Sequence, residues 1–159
     1  MAVVTQSDLI LQRSEWKRNG KRVVCAIGVF DLLHPGHIRL LEQARASGDI
    51  LVVGVLSDAR AREEKGPNRP VTPAAERAEI LDALTAVDFA VLLNEERADG
   101  FIARLAPDVV VQGRNTGSAK YAAPEISAAQ TAGVKLIQIP VEPGHSTSRL
   151  IERIKQIRA

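Results

Sequence analysis

Apolar runs and amphipathic stretches alternate along the whole chain. Five short runs rich in valine, leucine and isoleucine predict strands, and the stretches between them repeat apolar residues at three- and four-residue spacing, as helices do. The run 49–56 is apolar almost without interruption, which indicates a strand buried on both faces, as in a parallel sheet. Because short connections join the elements, the alternation predicts an α/β fold, an open parallel sheet with helices on both faces. The predicted strands span 23–28, 49–56, 87–93, 109–111 and 134–139; the predicted helices span 7–18, 36–46, 72–84, 97–105 and 124–132, and a last helix begins at Ser146.

Capping residues indicate where two of these helices begin. Ser7 and Asp8 offer side-chain oxygens that would cap the first helix. Thr72 is predicted to cap the helix that has Pro73 in its first turn, and Glu76 gives a capping box one residue beyond the ideal spacing.

The first strand, the loop after it and the next helix carry the most distinctive chemistry. The strand ends at Gly28, and two imidazoles three residues apart, His34 and His37, fall where the helix begins. Pro35 suits the first helical turn, and Gly36 has no side chain. Free backbone N–H groups and the positive end of the helix dipole gather at such a position, so the loop predicts a phosphate site.

Other polar loops are expected at the same edge of the sheet. Ligands of open parallel sheets bind beyond the carboxyl ends of the strands, near the point where the strand order reverses. The loop 65–70 follows the second strand and carries Lys65 and Arg69, the polar stretch Gly113 to Gly117 follows the fourth, and Gly144 to Ser148 follows the fifth. We expect these loops to share one site with the histidine loop.

Length and composition limit the class of protein. With 159 residues, of which 45% are hydrophobic, the chain is long enough for one core and short for two. We therefore expect one domain, with a leading helix over 1–20 and a core over 21–159. The net charge of +2 comes from 21 basic and 19 acidic residues without a like-charge block, and aromatic residues make up 3%. Neither charge nor stacking residues indicate a nucleic-acid surface, so a small anionic ligand fits better.

The single cysteine and the N-terminus bear on the compartment. Cys25 is the only cysteine, which excludes an internal disulfide, and its place in an apolar run predicts a buried, inert thiol. The first residues lack the basic-then-apolar pattern of a signal peptide, and no apolar run approaches the ~20 residues that cross a bilayer. We expect a cytoplasmic protein that binds neither membrane nor nucleic acid.

Two motifs far apart in the chain carry a family resemblance. Gly28, the pair Phe30 and Asp31, and the loop His34 to His37 resemble the glycine, Phe-Asp pair and His-x-Gly-His loop of the cytidylyltransferase-like nucleotidyltransferases. Gly144 to Ser148 is similar to the Gly-x-Ser-Thr-Ser/Thr motif that opens the last helix in that family. We expect a Rossmann-like domain whose five parallel strands lie in the order 3-2-1-4-5.

Within this superfamily the resemblance is strongest to the heptose 1-phosphate adenylyltransferases of lipopolysaccharide core synthesis, which form the C-terminal domain of bifunctional heptose kinase/adenylyltransferases. Glycerol-3-phosphate cytidylyltransferases share the two main motifs but less of the connecting sequence. The similarity to the heptose enzymes covers nearly the whole chain and includes Gly20 to Val24, Ser57 and Asp58, Lys65 and Gly66, Arg69 to Val71, Glu76 and Arg77, Ala86 to Asp88, and Pro107 and Asp108.

The chain departs from the heptose enzymes at two places. They usually have Asn-Gly before the Phe-Asp pair, where this chain has Ile27 and Gly28. They carry Gly-Gly-Asp-Tyr after the fourth strand, whereas the segment Gln112 to Thr116 lacks the acid and the aromatic residue. Arg114 in place of an acidic residue favours an acceptor that carries additional negative charge.

The resemblance implies a reaction. A sugar phosphate oxygen attacks the α-phosphorus of a nucleoside triphosphate in line, and pyrophosphate leaves. The expected substrates are ATP and heptose 1-phosphate. The alternatives are CTP with glycerol 3-phosphate or another polyol phosphate, and a nucleotide-binding module without turnover. Mg²⁺ is expected to bind mainly through the triphosphate, without a dedicated protein metal site, and a homodimer is also implied.

The resemblance also assigns roles to individual residues. His34, His37 and Lys65 are the expected catalytic residues, and Asp58, Arg69 and Arg77 are the expected contacts to the acceptor or to phosphate. The expected nucleotide-binding residues are Gly28, Val29, Phe30, Asp31, Gly36, Gly113, Arg114, Ser146, Thr147 and Ser148.

Simpler interpretations of these residues stay open from the sequence. The histidine pair would bind zinc if His145 or Cys25 completed the ligand set. Asp31 would be only a turn or capping residue, Lys65 would be a solvated loop cation like Arg69, and Ser146 would be only an N-cap. His145 replaces a usual apolar residue and is either an exposed imidazole or a third phosphate donor. Trp16 and Tyr121 are interpreted as packing residues.

Overall fold

A five-stranded, all-parallel sheet in the order β3-β2-β1-β4-β5 forms the centre of the computed structural model, which describes residues 4–94, 98–114, 126–141 and 143–157. The predicted α/β class and strand order are confirmed. The strands are β1 (Val23–Gly28), β2 (Ile50–Leu56), β3 (Phe89–Leu93), β4 (Val109–Arg114) and β5 (Lys135–Pro140); the helices are α1 (Gln6–Arg18), α2 (Pro35–Arg45), α3 (Asp58–Lys65), α4 (Ala74–Asp82), α5 (Ala98–Leu105), α6 (126–131) and α7 (Thr147–Gln156). Among the described helices, none is both long and apolar enough to cross a membrane.

The core lies on both faces of the sheet, because successive side chains of a strand point to opposite sides. In β1, Val24 packs in the cluster that includes Leu41 of α2 and Leu81 of α4. Its neighbour Cys25 packs in the opposite cluster, with Phe101 of α5. Cys25 is fully buried, as the sequence predicts.

Helix α1 is anchored to the core through Arg13, whose side chain is mostly buried. Its Nε and Nη2 donate to the carbonyl of Ala106 at 3.1 and 3.0 Å, and Nη2 also pairs with Asp108 at 3.2 Å. The same Asp108 carboxylate accepts from the N–H of Val23 at 2.7 Å, so one side chain joins α1 to the beginning of β1. The ring of Trp16 in α1 packs against that of Phe89 in β3, with centroids 5.2 Å apart and planes tilted by 36°, in agreement with a packing role.

The predicted caps of two helices are wrong. Helix α1 begins at Gln6, and Thr5 caps it by accepting from the N–H of Asp8. Ser7 and Asp8 therefore lie inside the helix. At α4 no side chain of the preceding residues forms the cap, and the predicted Thr72 cap and Glu76 capping box are absent.

Carboxylates distant in sequence satisfy the N–H groups that precede and open α4. The N–H of Thr72 donates to Asp31, and the N–H of Ala74 donates to Asp58, both at 2.9 Å. The sequence predicts Thr72 as the cap because spacing along the chain does not reveal these long-range partners.

Strand β4 is longer than the predicted 109–111. Its polar end, Gln112 to Arg114, pairs with β5 up to Pro140, so the neighbouring strand extends it beyond its apolar part. Of the predicted flexible stretch, residues 115–117 lie outside the described residues, as do 124–125 of the predicted helix 124–132 and Tyr121.

Candidate active site

The loop after β1 turns the chain from the sheet into α2. Phe30 adopts a left-handed conformation with φ of 49°, uncommon for a residue with a side chain. A Cβ on Gly28 would lie 3.0 Å from the ring of Phe30, so the glycine makes room for that ring. His34 is the N-cap residue of α2, in extended backbone conformation, and Pro35 follows at the first helical position. Both predicted imidazoles therefore lie at the N-terminal turn of α2.

The two imidazoles stack on one another. The ring centroids of His34 and His37 are 3.8 Å apart with an interplanar angle of 25°, and Phe30 meets His37 edge-on at 5.5 Å. His34 is only 8% exposed, and a Cβ on Gly36 would lie 2.9 Å from its ring. This explains physically why the position between the histidines is a glycine: any side chain there would displace the His34 ring.

Burial disfavours the charged form of both imidazoles. The pKa of His37 is lowered to about 3, first by burial and then by the neighbouring His34 and Lys65, while Asp31 opposes them. The pKa of His34 is also lowered, first by burial and then by His145. The Nδ1 atoms of both rings are buried and have no hydrogen-bond partner within the described part of the chain. Two imidazoles whose Nδ1 atoms have no hydrogen-bond partner thus line the site.

The second motif lies against the first. Ser146 caps α7 by accepting from the N–H of Arg149 at 3.1 Å, as predicted for a capping serine. The hydroxyl of Thr147 donates to the carbonyl of Leu32 at 3.0 Å, which joins the N-terminus of α7 to the histidine loop. The first turns of α2 and α7 contain no acidic residue. Two helix N-termini thus present unopposed positive dipole ends to one cleft.

Asp31 holds the loop between α3 and α4 against the cleft. Its carboxylate is 4% exposed and accepts from the N–H groups of Val71 and Thr72 at 2.9 Å each. Its Oδ2 also lies 3.1 Å from Nε of Arg69, an ion pair without hydrogen-bond geometry. Asp31 lines the cleft, but its carboxylate is bound mainly to the N–H groups of the loop between α3 and α4, forty residues further along the chain. Neither sequence interpretation of Asp31 anticipated this contact.

Arg77 ties together the ends of β1 and β2. Its guanidinium donates to the carbonyl of Val29, to that of Leu56 at 2.9 Å and to that of Thr72 at 2.9 Å. It also pairs with Asp58 at 2.7 Å. The side chain is fully buried, and neither Arg77 nor Asp58 lines the cleft. The structure does not bring these two predicted acceptor contacts to the site; it gives them partners within the protein.

The cleft has a volume of about 540 Å³. Arg114 does not line it either, and stands exposed at the end of β4. The predicted residues that line the cleft are Gly28, Val29, Phe30, Asp31, His34, Gly36, His37, Lys65, Arg69, Gly113, Ser146, Thr147 and Ser148.

Four further residues of the cleft were not among the predictions, namely Ile27, Leu40, Glu64 and Val141. Leu40 follows Gly36 by one helical turn, and Ile27 adjoins the first motif, so helical and motif spacing could have found them. No helical or motif spacing in the sequence indicates Glu64 as a cleft residue. Burial raises the pKa of its carboxyl group, although Arg60 and Lys65 oppose the effect.

His145, whose role the sequence left open, also lines the cleft beside His34. A zinc site finds no support in the geometry. Within 4–94, 98–114, 126–141 and 143–157, no group of three or more histidine, cysteine or acidic side chains is arranged to hold a metal ion. Cys25 lies in the core of the sheet.

Comparison with known proteins agrees with this geometry. "Bifunctional protein HldE" of Koribacter versatilis (strain Ellin345) is 43% identical over 152 residues, which cover 95% of this chain and 31% of that protein. "Bifunctional protein HldE" of Rhodopseudomonas palustris (strain BisB5) is 40% identical over 152 residues, with 96% and 31% covered. The chain thus spans about a third of the length of these curated relatives.

A solved structure and a family model extend the likeness. The crystal structure of the lipopolysaccharide core biosynthesis protein from Thermoplasma volcanium GSS1 matches with a TM-score of 0.64 and 29% identity, covering 77% of this chain and 98% of that one. The sequence model of the family described as cytidylyltransferase-like matches residues 25–153, which include both motifs of the cleft. The chain therefore belongs to the cytidylyltransferase-like family.

Proposed function

We propose that the chain transfers a nucleoside monophosphate from a nucleoside triphosphate to a sugar phosphate and releases pyrophosphate. The observation that carries this proposal is the cleft itself, in which the Thr147–Leu32 hydrogen bond joins the N-terminus of α7 to the loop before α2, beside the stacked imidazoles of His34 and His37. Such a site binds a polyphosphate through N–H groups, hydroxyls and helix dipoles.

ATP and heptose 1-phosphate are the first substrate pair we propose, with ADP-heptose as the product. The likeness to two HldE proteins and to a lipopolysaccharide core biosynthesis protein supports this pair, as does the sequence resemblance over nearly the whole chain. CTP with glycerol 3-phosphate or another polyol phosphate is the second pair, which membership of the cytidylyltransferase-like family supports.

The reaction needs positioning and charge stabilisation more than covalent chemistry. An oxygen of the acceptor phosphate forms a bond to the α-phosphorus while the bond from that phosphorus to the bridging oxygen of pyrophosphate breaks. The acceptor phosphate is already ionised, so no general base is required. His34 and His37 would donate hydrogen bonds to phosphate oxygens as charge develops, since they lie where the two helix N-termini meet.

Lys65 is an exposed cation on the α3 side of the cleft. It lines the cleft, whereas Arg69 beside it is paired with Asp31. We infer that Lys65 meets a phosphate group directly and that Arg69 contributes mainly by holding its loop. Asp58 and Arg77 are assigned to the support of this loop instead of to the acceptor.

Magnesium fits this chemistry as a companion of the triphosphate. Asp31 and Glu64 are the carboxylates among the described cleft residues, and Asp31 is engaged by two N–H groups and Arg69. The cleft therefore offers few oxygen ligands, which suits an ion that keeps its waters and the phosphate oxygens. When bound, Mg²⁺ neutralises part of the charge on the triphosphate.

We further propose that the chain acts as one domain in the cytoplasm and as a homodimer. Arg13 supports the single domain, because it ties the leading helix α1 to Ala106 and Asp108 of the core. Sedimentation measurements on the purified chain test the homodimer directly.

Pyrophosphate release tests the proposed activity. The purified chain is incubated with ATP or CTP, Mg²⁺ and either heptose 1-phosphate or glycerol 3-phosphate, with each reactant omitted in turn. Release that requires ATP and heptose 1-phosphate together supports the first pair, and release with CTP and the polyol phosphate supports the second. Nucleotide binding without release under all conditions would contradict catalysis and leave a nucleotide-binding module.

A further inference from the structure

Three imidazoles lie in a row across the cleft. The ring of His34 stacks on His37 at 3.8 Å, and the ring of His145 lies 6.3 Å from that of His34, inclined by only 20°. His145 directly precedes the N-cap residue of α7. The row therefore connects the N-terminus of α2 with the N-terminus of α7.

Backbone packing fixes the position of His145. A Cβ on Gly36 would lie 3.2 Å from the β-carbon of His145 and 2.9 Å from the ring of His34. The missing side chain thus lets the segment before α7 approach α2 closely. His145 is partly buried, so it is a component of the cleft wall and not a freely solvated side chain.

His145 also lines a second cavity of about 420 Å³ that adjoins the cleft. His34 and Ser146 line this cavity from the same side, and Arg149 and Arg153 line it from α7. None of its described lining residues is acidic. A phosphate group that enters the cleft beside His145 therefore meets an imidazole with Arg149 and Arg153 in the adjoining cavity wall.

Positive charge outweighs negative charge around the row. Asp31 is already paired with Arg69, and burial together with the neighbouring His34 and Lys65 lowers the pKa of His37. A bound polyphosphate brings negative charge close to these rings, and nearby negative charge favours the protonated form of an imidazole. The charged groups that line the cavities around the row are Lys65 and Glu64 of α3, Asp31 and Arg69 of the loops, Arg149 and Arg153 of α7, and, beside His34, Arg39 and Glu42 of α2.

We propose that His145 is a third phosphate-binding imidazole and that, through it, nucleotide binding takes up about one proton. The inference rests on the nucleotide site of the proposed function. The proton passes from solvent to the imidazole, which then donates an N–H to a phosphate oxygen; no covalent bond to the nucleotide forms. The triphosphate accordingly binds more weakly as the pH rises through the titration of the row, by up to about tenfold per pH unit for one coupled proton.

Calorimetric titration tests this coupling. ATP with Mg²⁺ is titrated into the wild-type chain without an acceptor, near neutral pH, in two buffers of different ionisation enthalpy, and the same is done with CTP. The difference in apparent enthalpy between buffers gives the number of protons taken up. We expect clearly fewer protons for His145→Asn than for the wild type, and a flatter dependence of Kd on pH. The titration of the nucleotide itself is common to both proteins and cancels in this difference.

Two further variants make the result specific. His145→Gln repeats the test with another neutral amide, and thermal unfolding checks that both variants fold. Lys155→Gln removes a cation from α7 outside both cavities and should keep the wild-type proton uptake. Equal proton uptake by the wild type and His145→Asn would overturn the inference. Failure of the wild type to bind either nucleotide would contradict the proposed function itself.

Discussion

Replacing Arg77 with methionine is expected to destabilise the fold and not to weaken substrate binding specifically. The buried guanidinium donates to the carbonyls of Val29, Leu56 and Thr72 and to the carboxylate of Asp58. Methionine fills a similar volume but provides no donor, so four acceptors lose a partner. The sequence alone predicts that Arg77 contacts the acceptor substrate. The variant distinguishes that role from a role in stabilising the fold.

The size of the effect follows from these contacts. Hydrogen bonds contribute about 0.5–1.5 kcal/mol each, and removing one partner of a fully buried ion pair costs about 3–5 kcal/mol. The side chain of Asp58 is 36% exposed and keeps the N–H of Ala74, so the loss of the pair costs less than that range. We expect the free energy of unfolding to fall by about 3 kcal/mol, and Tm by about 6–12 °C for a chain of this length.

Urea unfolding followed by circular dichroism measures the loss, with Arg62→Met on the exposed side of α3 as the matched control. Asp58→Asn combined with Arg77→Met should destabilise less than the sum of the single changes, because the two side chains share one interaction. The KM of each substrate is measured well below Tm. Wild-type stability together with a raised KM for the acceptor would refute the reasoning and restore Arg77 as an acceptor contact.

Four further predictions concern the site. His37→Ala should lower turnover about a hundredfold or more with little change in folding, since a preorganised donor is worth about 3–4 kcal/mol; near-normal pyrophosphate release would contradict its role. The free energy of unfolding should fall as the pH drops from 6.5 towards 3, because His37 binds a proton in this range in the unfolded chain but not while it is buried in the folded protein. His37 should contribute up to about 1.4 kcal/mol per pH unit to this slope, so the slope measured by urea unfolding should be smaller in His37→Gln; an equal slope in both would count against it. Gly36→Ala should reduce turnover more than about tenfold, because the new Cβ would lie 2.9 Å from the His34 ring and displace it; unchanged turnover would show that ring placement is not limiting. Arg114 stands exposed at the end of β4, outside the cleft, so Arg114→Ala should leave the KM of both the nucleotide and the acceptor unchanged; a raised acceptor KM would restore the charge argument for Arg114.

Much of the fold follows from short-range pattern. The apolar runs over 23–28 and 49–56 and the helical spacing between them predict a parallel sheet, because burial on both faces and right-handed crossovers leave few other arrangements. The errors lie at element ends. Thr72 does not cap α4, because Asp31 and Asp58, from elsewhere in the chain, accept the hydrogen bonds of the N–H groups there. Strand β4 continues past its apolar residues because β5 pairs with it up to Arg114.

The sequence by itself determined the chemistry of the cleft: a helix that begins at an imidazole pair, a second helix that begins at Ser146, and the glycine between the histidines. These are properties of neighbouring residues, so spacing along the chain reveals them. Only the tertiary structure decided how polar side chains pair across the sheet. Arg77 and Asp31 find partners up to 48 residues away, and His145 meets His34 across more than a hundred residues. Such contacts depend on which strands lie side by side. That arrangement gives Arg77 a supporting role for the loop and places His145 in the wall of the cleft.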